Sequence, residues 1–235
     1  IMAARSAAGG ALAFSADVIA DANTVLADGE TDYRFNLSYS AASTDCNMCG
    51  NVNQRKENQI DLSLVTVDAS NDIDGIRLQD PIGGGDDLAL IAMLTQWKGG
   101  AITDSGNQYP DLTVSSARLA HLILAEAAAA GVAGVGTFAA NINNLRDIDG
   151  YTTDYTAEDV VATLQHHRRV NTLLQGLRLP DMYRWGLRPN DNPGVDPAAI
   201  WAPSSDAQLR TGSMLPITLI EVRANCYLNG LGCAG

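Results

Sequence analysis

Residues 115–150, SSARLAHLILAEAAAAGVAGVGTFAANINNLRDIDG, decide the fold class. Ser115 and Ser116 can cap a helix start, and Leu119, Leu122, Ile123 and Glu126 follow at helical spacing to about Ala130. Gly131-Val132-Ala133-Gly134 reads as a turn. A second helix follows from Thr137 to Arg146, with Phe138, Ile142 and Leu145 on one face and Asp149-Gly150 closing it. Two helices joined by so short a turn are expected to run antiparallel. Downstream, Thr156-Ala157-Glu158-Asp159 carries a capping signature with acids in the first turn. The stripe Val160, Val161, Leu164, Val170, Leu173, Leu174 and Leu177 predicts one long helix over 156–178. Pro180 breaks it, and a short helical turn is expected over Asp181 to Trp185. From Leu187 onward, five of the eight prolines and much Gly, Asp and Asn predict an irregular tail over the domain surface.

Upstream the signals are weaker. Met2 to Leu26 is Ala-rich with Leu12, Ile19 and Val25, which predicts a helix stopped by Asp28-Gly29-Glu30. Tyr33, Phe35, Leu37 and Tyr39 alternate with polar residues as in a strand, leading into a loop that holds Cys46 and Cys49. Ile60, Leu62 and Leu64 begin a second strand-like run ending near Val67. Residues 68–87 and 98–112 read as loops, and Leu88 to Trp97 fits a strand and a buried helix equally well. The expected architecture is mainly α with a few short β-strands, in one domain. Residues 1–110 give an Ala-rich helix, strands and loops, 111–186 a helical scaffold and 187–235 the tail.

With 46% hydrophobic and 18% charged residues, the 235-residue chain has the composition of a globular protein. Its formal charge of -12, from 27 acidic and 15 basic residues, argues against nucleic acid, which needs clustered Lys and Arg. Lys56 and Lys98 are the sole lysines, so no polybasic membrane patch is expected, and no transmembrane span either. The chain opens on Ile1 without a leader pattern and is expected to be processed or truncated. Its four cysteines suggest an oxidising, extracytoplasmic setting. Local pairs Cys46–Cys49 and Cys226–Cys233 are expected, the alternative being bonds from loop to tail.

No nucleophile elbow, HExxH, Walker loop or dinucleotide fingerprint is found, and no motif supports a hydrolase using loop aspartates. His166 and His167 are neighbours on a helix, so their side chains diverge by about 100° and do not make a ligand pair. His121 reads as a satisfied core histidine. The tetrapeptide Asp-Ile-Asp-Gly occurs at 72–75 and 147–150 and could offer oxygens to calcium. Neither copy continues into an EF-hand, so an Asp-Gly turn is the plainer reading and no cofactor is expected. Cys46-Asn47-Met48-Cys49 lacks the His of a haem site and the second CxxC of a zinc site. Trp97, Tyr109, Tyr151, Tyr155 and Trp201 fall in or beside polar loops, where rings could stack on sugars.

Three blocks resemble the SusD/RagB family of outer-membrane nutrient-binding lipoproteins. Residues 115–127 are similar to the family's helix ending in "LIxAEA", and Asn141-Ile142-Asn143-Asn144-Leu145-Arg146 to its "INxxR". Arg168, Gly176, Arg178, Leu179, Asp181, Arg184, Trp185 and Gly186 match "ERxxELxxEGxRxxDLxRWG". Leu215-Pro216-Ile217 with Glu221 and Asn225 is similar to the terminal "PIPxxExxxNP". His167, Asn171 and Gln175 replace three family glutamates, so Arg168 and Arg178 must find other partners. Cys226 replaces the last proline.

The resemblance implies tetratricopeptide-like helix pairs on the outer cell surface, a lid over a SusC-like TonB-dependent transporter, and a bound oligosaccharide or peptide without catalysis. Arg178, Asp181, Arg184 and Trp185 become scaffold residues. The family's chains are longer, and their N-terminal helices and lipid-bearing cysteine are not matched. Leu12, Phe14, Val18 and Ile19 would then leave an uncapped apolar face, so residues 1–26 are expected to pack against another chain. Repeated head to tail, that contact would build a filament or surface layer of copies of this chain, the alternative function.

Overall fold

The computed structural model describes residues 5–6, 12–13, 16–42, 49, 52–53, 60–104, 107–178 and 181. The chain separates into two compact units, Ile1–Arg178 and Leu179–Gly235, and the helices and strands named here belong to the first. The expected tail over 187–235, which holds Trp201, Cys226 and Cys233, lies outside the described residues, and so do Arg184 and Trp185 of the expected scaffold.

Among the described residues helix predominates over strand, at about 44% against 13%. The described helices are α1 (Ala16–Ala27), α2 (Leu88–Lys98), α3 (Ala117–Ala129), α4 (Phe138–Asp149) and α5 (Val160–Asn171). The strands are β1 (Arg5–Ser6), β2 (Leu12–Ala13), β3 (Arg34–Leu37), β4 (Val65–Val67), β5 (Ile73–Ile76) and β6 (Leu112–Ser116). They pair antiparallel in twos: β1 with β2, β3 with β6, and β4 with β5.

Each helix boundary has a local chemical cause. The Ser116 hydroxyl accepts the Leu119 N–H at 3.1 Å, so α3 begins where the serine pair predicts. Thr137 accepts from Ala140 at 3.0 Å to start α4, and Gly150, at φ 73°, ends it by donating to Arg146 and Asp147 carbonyls. Thr137→Ala is expected to cost about 1 kcal/mol in a denaturant melt, since the hydroxyl is exposed and only the cap is lost. Asp87 caps α2 through Leu90, at 2.8 Å, which decides the ambiguous 88–97 stretch in favour of helix.

Elsewhere the expected boundaries move. Residues 5–6 and 12–13 form a strand pair where a continuous helix from Met2 is predicted, because Gly9 and Gly10 make this stretch a poor helix. Cys49, Val52 and Asn53 are helical rather than in a loop. Residues 62–64 form a turn, so the second strand is confined to β4. The expected 68–87 loop contains β5, folded back on β4 around Asp68, whose carboxylate accepts from the Ser70 and Asp72 N–H groups. Asp159, not Thr156, caps α5 through Ala162 at 2.9 Å. The helix ends at Asn171 because the next turns need positive φ at Leu174 and Gly176. Val160 and Val161 are exposed, so the apolar stripe overstates the buried face.

Helix α3 is the centre, touching α1, α4 and α5. Leu122, Ile142 and Leu145 are fully buried on α3 and α4. A second core joins Leu64, Val65 and Ile73 of the β4–β5 hairpin to Leu90 and Leu94 of α2 and Val170 of α5. On the other side Ala22 of α1 meets Ala120, Leu124 and Ala127 of α3, with Ile19, Val25 and Leu26 packed around them. Small residues let these two helices approach closely. Part of the apolar face of α1 thus packs on α3 of its own chain, while Leu12 and Phe14, on which the expected contact with another chain also rests, have side chains outside the described residues. Among the described residues no helix is long and apolar enough to cross a membrane.

Candidate functional site

Arg118, Arg146 and Arg168 take part in a buried polar network inside the first unit. Arg118, on α3, uses all five of its N–H groups. Nη1 donates to Asp149 at 2.6 Å and Asn171 at 2.9 Å, Nη2 to Asp149 at 2.7 Å and Asp32 at 3.0 Å, and Nε to Asp32 at 2.8 Å. Arg146 forks onto Asp80 at 2.8 and 2.9 Å, donates to the Thr153 carbonyl, and stacks 4.1 Å over the Tyr151 ring. Arg168 lies 3.7 Å from Glu126, so its guanidinium is paired from α3. Asp87 is held by His166 Nε2 at 2.6 Å and by the Tyr151 hydroxyl at 2.9 Å.

Burial alone would favour the neutral acid at Asp32, Asp80 and Asp87. Hydrogen bonds and charge from Arg118 and Arg34, from Arg146 and from His166 outweigh it and hold these carboxyls below their ordinary range. Asp61 is lowered likewise, against its burial, by Ser63 and Arg169. These acids are therefore ionised, Asp32, Asp61 and Asp80 tied to arginines and Asp87 to His166 and Tyr151, the state of structural carboxylates rather than of a proton donor working at neutral pH.

The aromatic candidates do not share a surface. Trp97 is buried on α2, 4% exposed, with its indole N–H unpartnered among the described residues. Tyr155 is buried edge-on against Phe138, at 5.2 Å between centroids, and donates to the Glu158 carbonyl. Tyr151 reaches inward to Asp87 and Ala89. Sequence places these three beside polar loops, but their rings turn into the core. Tyr109 is half-buried in the loop before β6, and Trp201 is outside the described residues.

Of the scaffold candidates, Arg178 ends the first unit and Asp181 belongs to the second; neither is without a partner. Cys49 is fully buried and disulfide-bonded, while Cys46 lies outside the described residues, so the local pairing with it is not decided. The first Asp-Ile-Asp-Gly runs along β5, and in the second Asp149 is occupied by Arg118. Among the described residues no three His, Cys, Asp or Glu cluster as metal ligands.

An open cleft of about 580 Å³ is the feature sequence reading missed. Asn23 of α1, Glu30 and Thr31 of the following turn, and Asn144 and Asp147 of α4 form its rim. His121, Leu124 and Val135 line it more deeply. Asn141 is pinned by donating to the Val135 and Thr137 carbonyls, at 2.9 and 3.0 Å. His121 is half-buried, and burial pushes its imidazole below the usual histidine value, against a hydrogen bond with Asn141. Its Nδ1 has no partner among the described residues, so it is not the fully satisfied histidine expected. One trace was legible: Asn141, Asn144 and Asp147 recur every three residues along α4, on residue types that are poor helix formers. Comparison with family models, curated proteins and solved structures finds no match to the chain.

Proposed function

We propose that the chain is a noncatalytic cell-surface binding protein of the SusD/RagB type. It holds an oligosaccharide, or failing that a peptide, for a SusC-like TonB-dependent outer-membrane transporter. In this reading the helices form tetratricopeptide-like pairs that carry the ligand-binding surface, and the protein stands on the extracellular face of the outer membrane. One observation carries the reading: the interior acids are tied to arginines and a histidine, whereas the rim of the cleft keeps amides, a hydroxyl and carboxylates open to a ligand. A polyol ligand needs many neutral hydrogen-bonding groups over a small apolar floor.

Calorimetry of the full chain against oligosaccharide and peptide panels tests it. Saturable binding with the ligand recovered unchanged is expected; no binding, or a ligand consumed, contradicts it. A second reading, self-assembly, is favoured by the exposed apolar face of the β3–β6 pair, where Phe35, Leu37 and Val114 are 53%, 45% and 49% exposed. Light scattering should then show association that Phe35→Asp abolishes, and a monodisperse monomer would remove that reading.

A further inference from the structure

We infer that the cleft between α1, α3 and α4 is the saccharide site, and that it selects uncharged oligosaccharides against acidic ones. The inference rests on the function proposed above and gives it a place and a ligand class. The volume of about 580 Å³ lies within the range of small-ligand sites. Asn23, Asn144 and Thr31 can each donate and accept, as sugar hydroxyls require. Leu26, half-buried and backed by Leu124 and Val135, gives the depth an apolar surface for the C–H face of a ring.

Charge sets the selectivity. Glu30 and Asp147 line the cleft, and among the described residues no Lys or Arg does. Neither carboxylate has an ion-pair partner among the described residues, in contrast to Asp32, Asp80 and Asp149. Burial keeps the His121 imidazole neutral at neutral pH, so it supplies no compensating cation. A uronate carboxylate entering the cleft meets two like charges and no donor cation, whereas a neutral ring finds acceptors for its hydroxyl protons. The pinned Asn141 amide fixes the wall beside His121 before any ligand arrives.

The test uses the full chain, a panel of neutral oligosaccharides and oligogalacturonates of matched length, by calorimetry. Neutral ligands are expected to bind at least about tenfold tighter than oligogalacturonates, with the gap narrowing in high salt. Asn144→Ala, on the exposed rim, should weaken neutral binding by about tenfold. Glu30→Gln with Asp147→Asn should raise oligogalacturonate affinity by at least about threefold. Equal or tighter binding of oligogalacturonates overturns the inference. So does neutral binding that all three substitutions leave unchanged, which moves the site elsewhere and leaves the proposed function standing. Failure of every saccharide to bind overturns the inference, and failure of the peptide panel as well overturns the proposed function itself.

Discussion

Arg118→Met should destabilise the first unit by about 3–5 kcal/mol in a denaturant melt. The side chain is 2% exposed and joins α3 to Asp149 at the end of α4, to Asn171 at the end of α5, and to Asp32 before β3. Removing the guanidinium does not harm these partners equally. Asp32 is 34% exposed and keeps Arg34 at 2.7 Å, so it loses little. Asp149 is 4% exposed and loses both of its arginine bonds, which leaves a buried carboxylate uncompensated. Most of the cost therefore falls on Asp149, and Arg118→Met with Asp149→Leu should recover a large part of it. A single-variant loss below about 1 kcal/mol would mean that the network does not join these elements.

Stability should also fall on acidification well above the carboxylate range, because of His167. Its ring is fully buried with neither nitrogen partnered among the described residues. Burial first, then the His166 and Arg146 charges, push it down from 6.5 to about 3, against a weaker pull from Asp87 and Asp80. Between those values the unfolded chain binds a proton that the folded chain refuses. Stability is thus complete above the unfolded value and is lost as pH falls toward the folded one. A drop to about pH 5 is expected to remove about 2 kcal/mol through this group. The depressed Asp32, Asp61, Asp80 and Asp87 act with the same sign but lower, beneath their ordinary value of 3.8. His167→Leu should abolish the upper phase in melts at about pH 7.5 and pH 5, and should stabilise the fold at neutral pH by removing two unpartnered nitrogens. An unchanged slope between the two pH values would assign the phase to another group.

Sequence legibility followed local chemistry. Ser116, Thr137 and Gly150 act within one turn of their own position, so α3 and α4 were predictable to within a few residues. The end of α5 was not, because a run of leucines does not reveal that Leu174 adopts φ 60°. β5 was hidden in an Asp- and Gly-rich segment, since it is only four residues long and exists through pairing with β4. Trp97, Tyr151 and Tyr155 were misplaced for one reason: polar neighbours in sequence do not say which way a ring turns. The cleft draws on the α1 end, a turn, α3 and α4, and α4 alone showed a recurring polar face. The Arg118 network spans separations of 31, 53 and 86 residues, beyond any local pattern.

The central claim is that this chain holds a neutral saccharide in the α1–α3–α4 cleft. Titrating the isotope-labelled full chain with the tightest-binding neutral oligosaccharide, and following backbone amide resonances, tests it most directly. Saturable shifts should concentrate at Thr31, His121, Gly134 and Asn144, which surround the cleft. Shifts that saturate elsewhere and leave these four residues unmoved would contradict it.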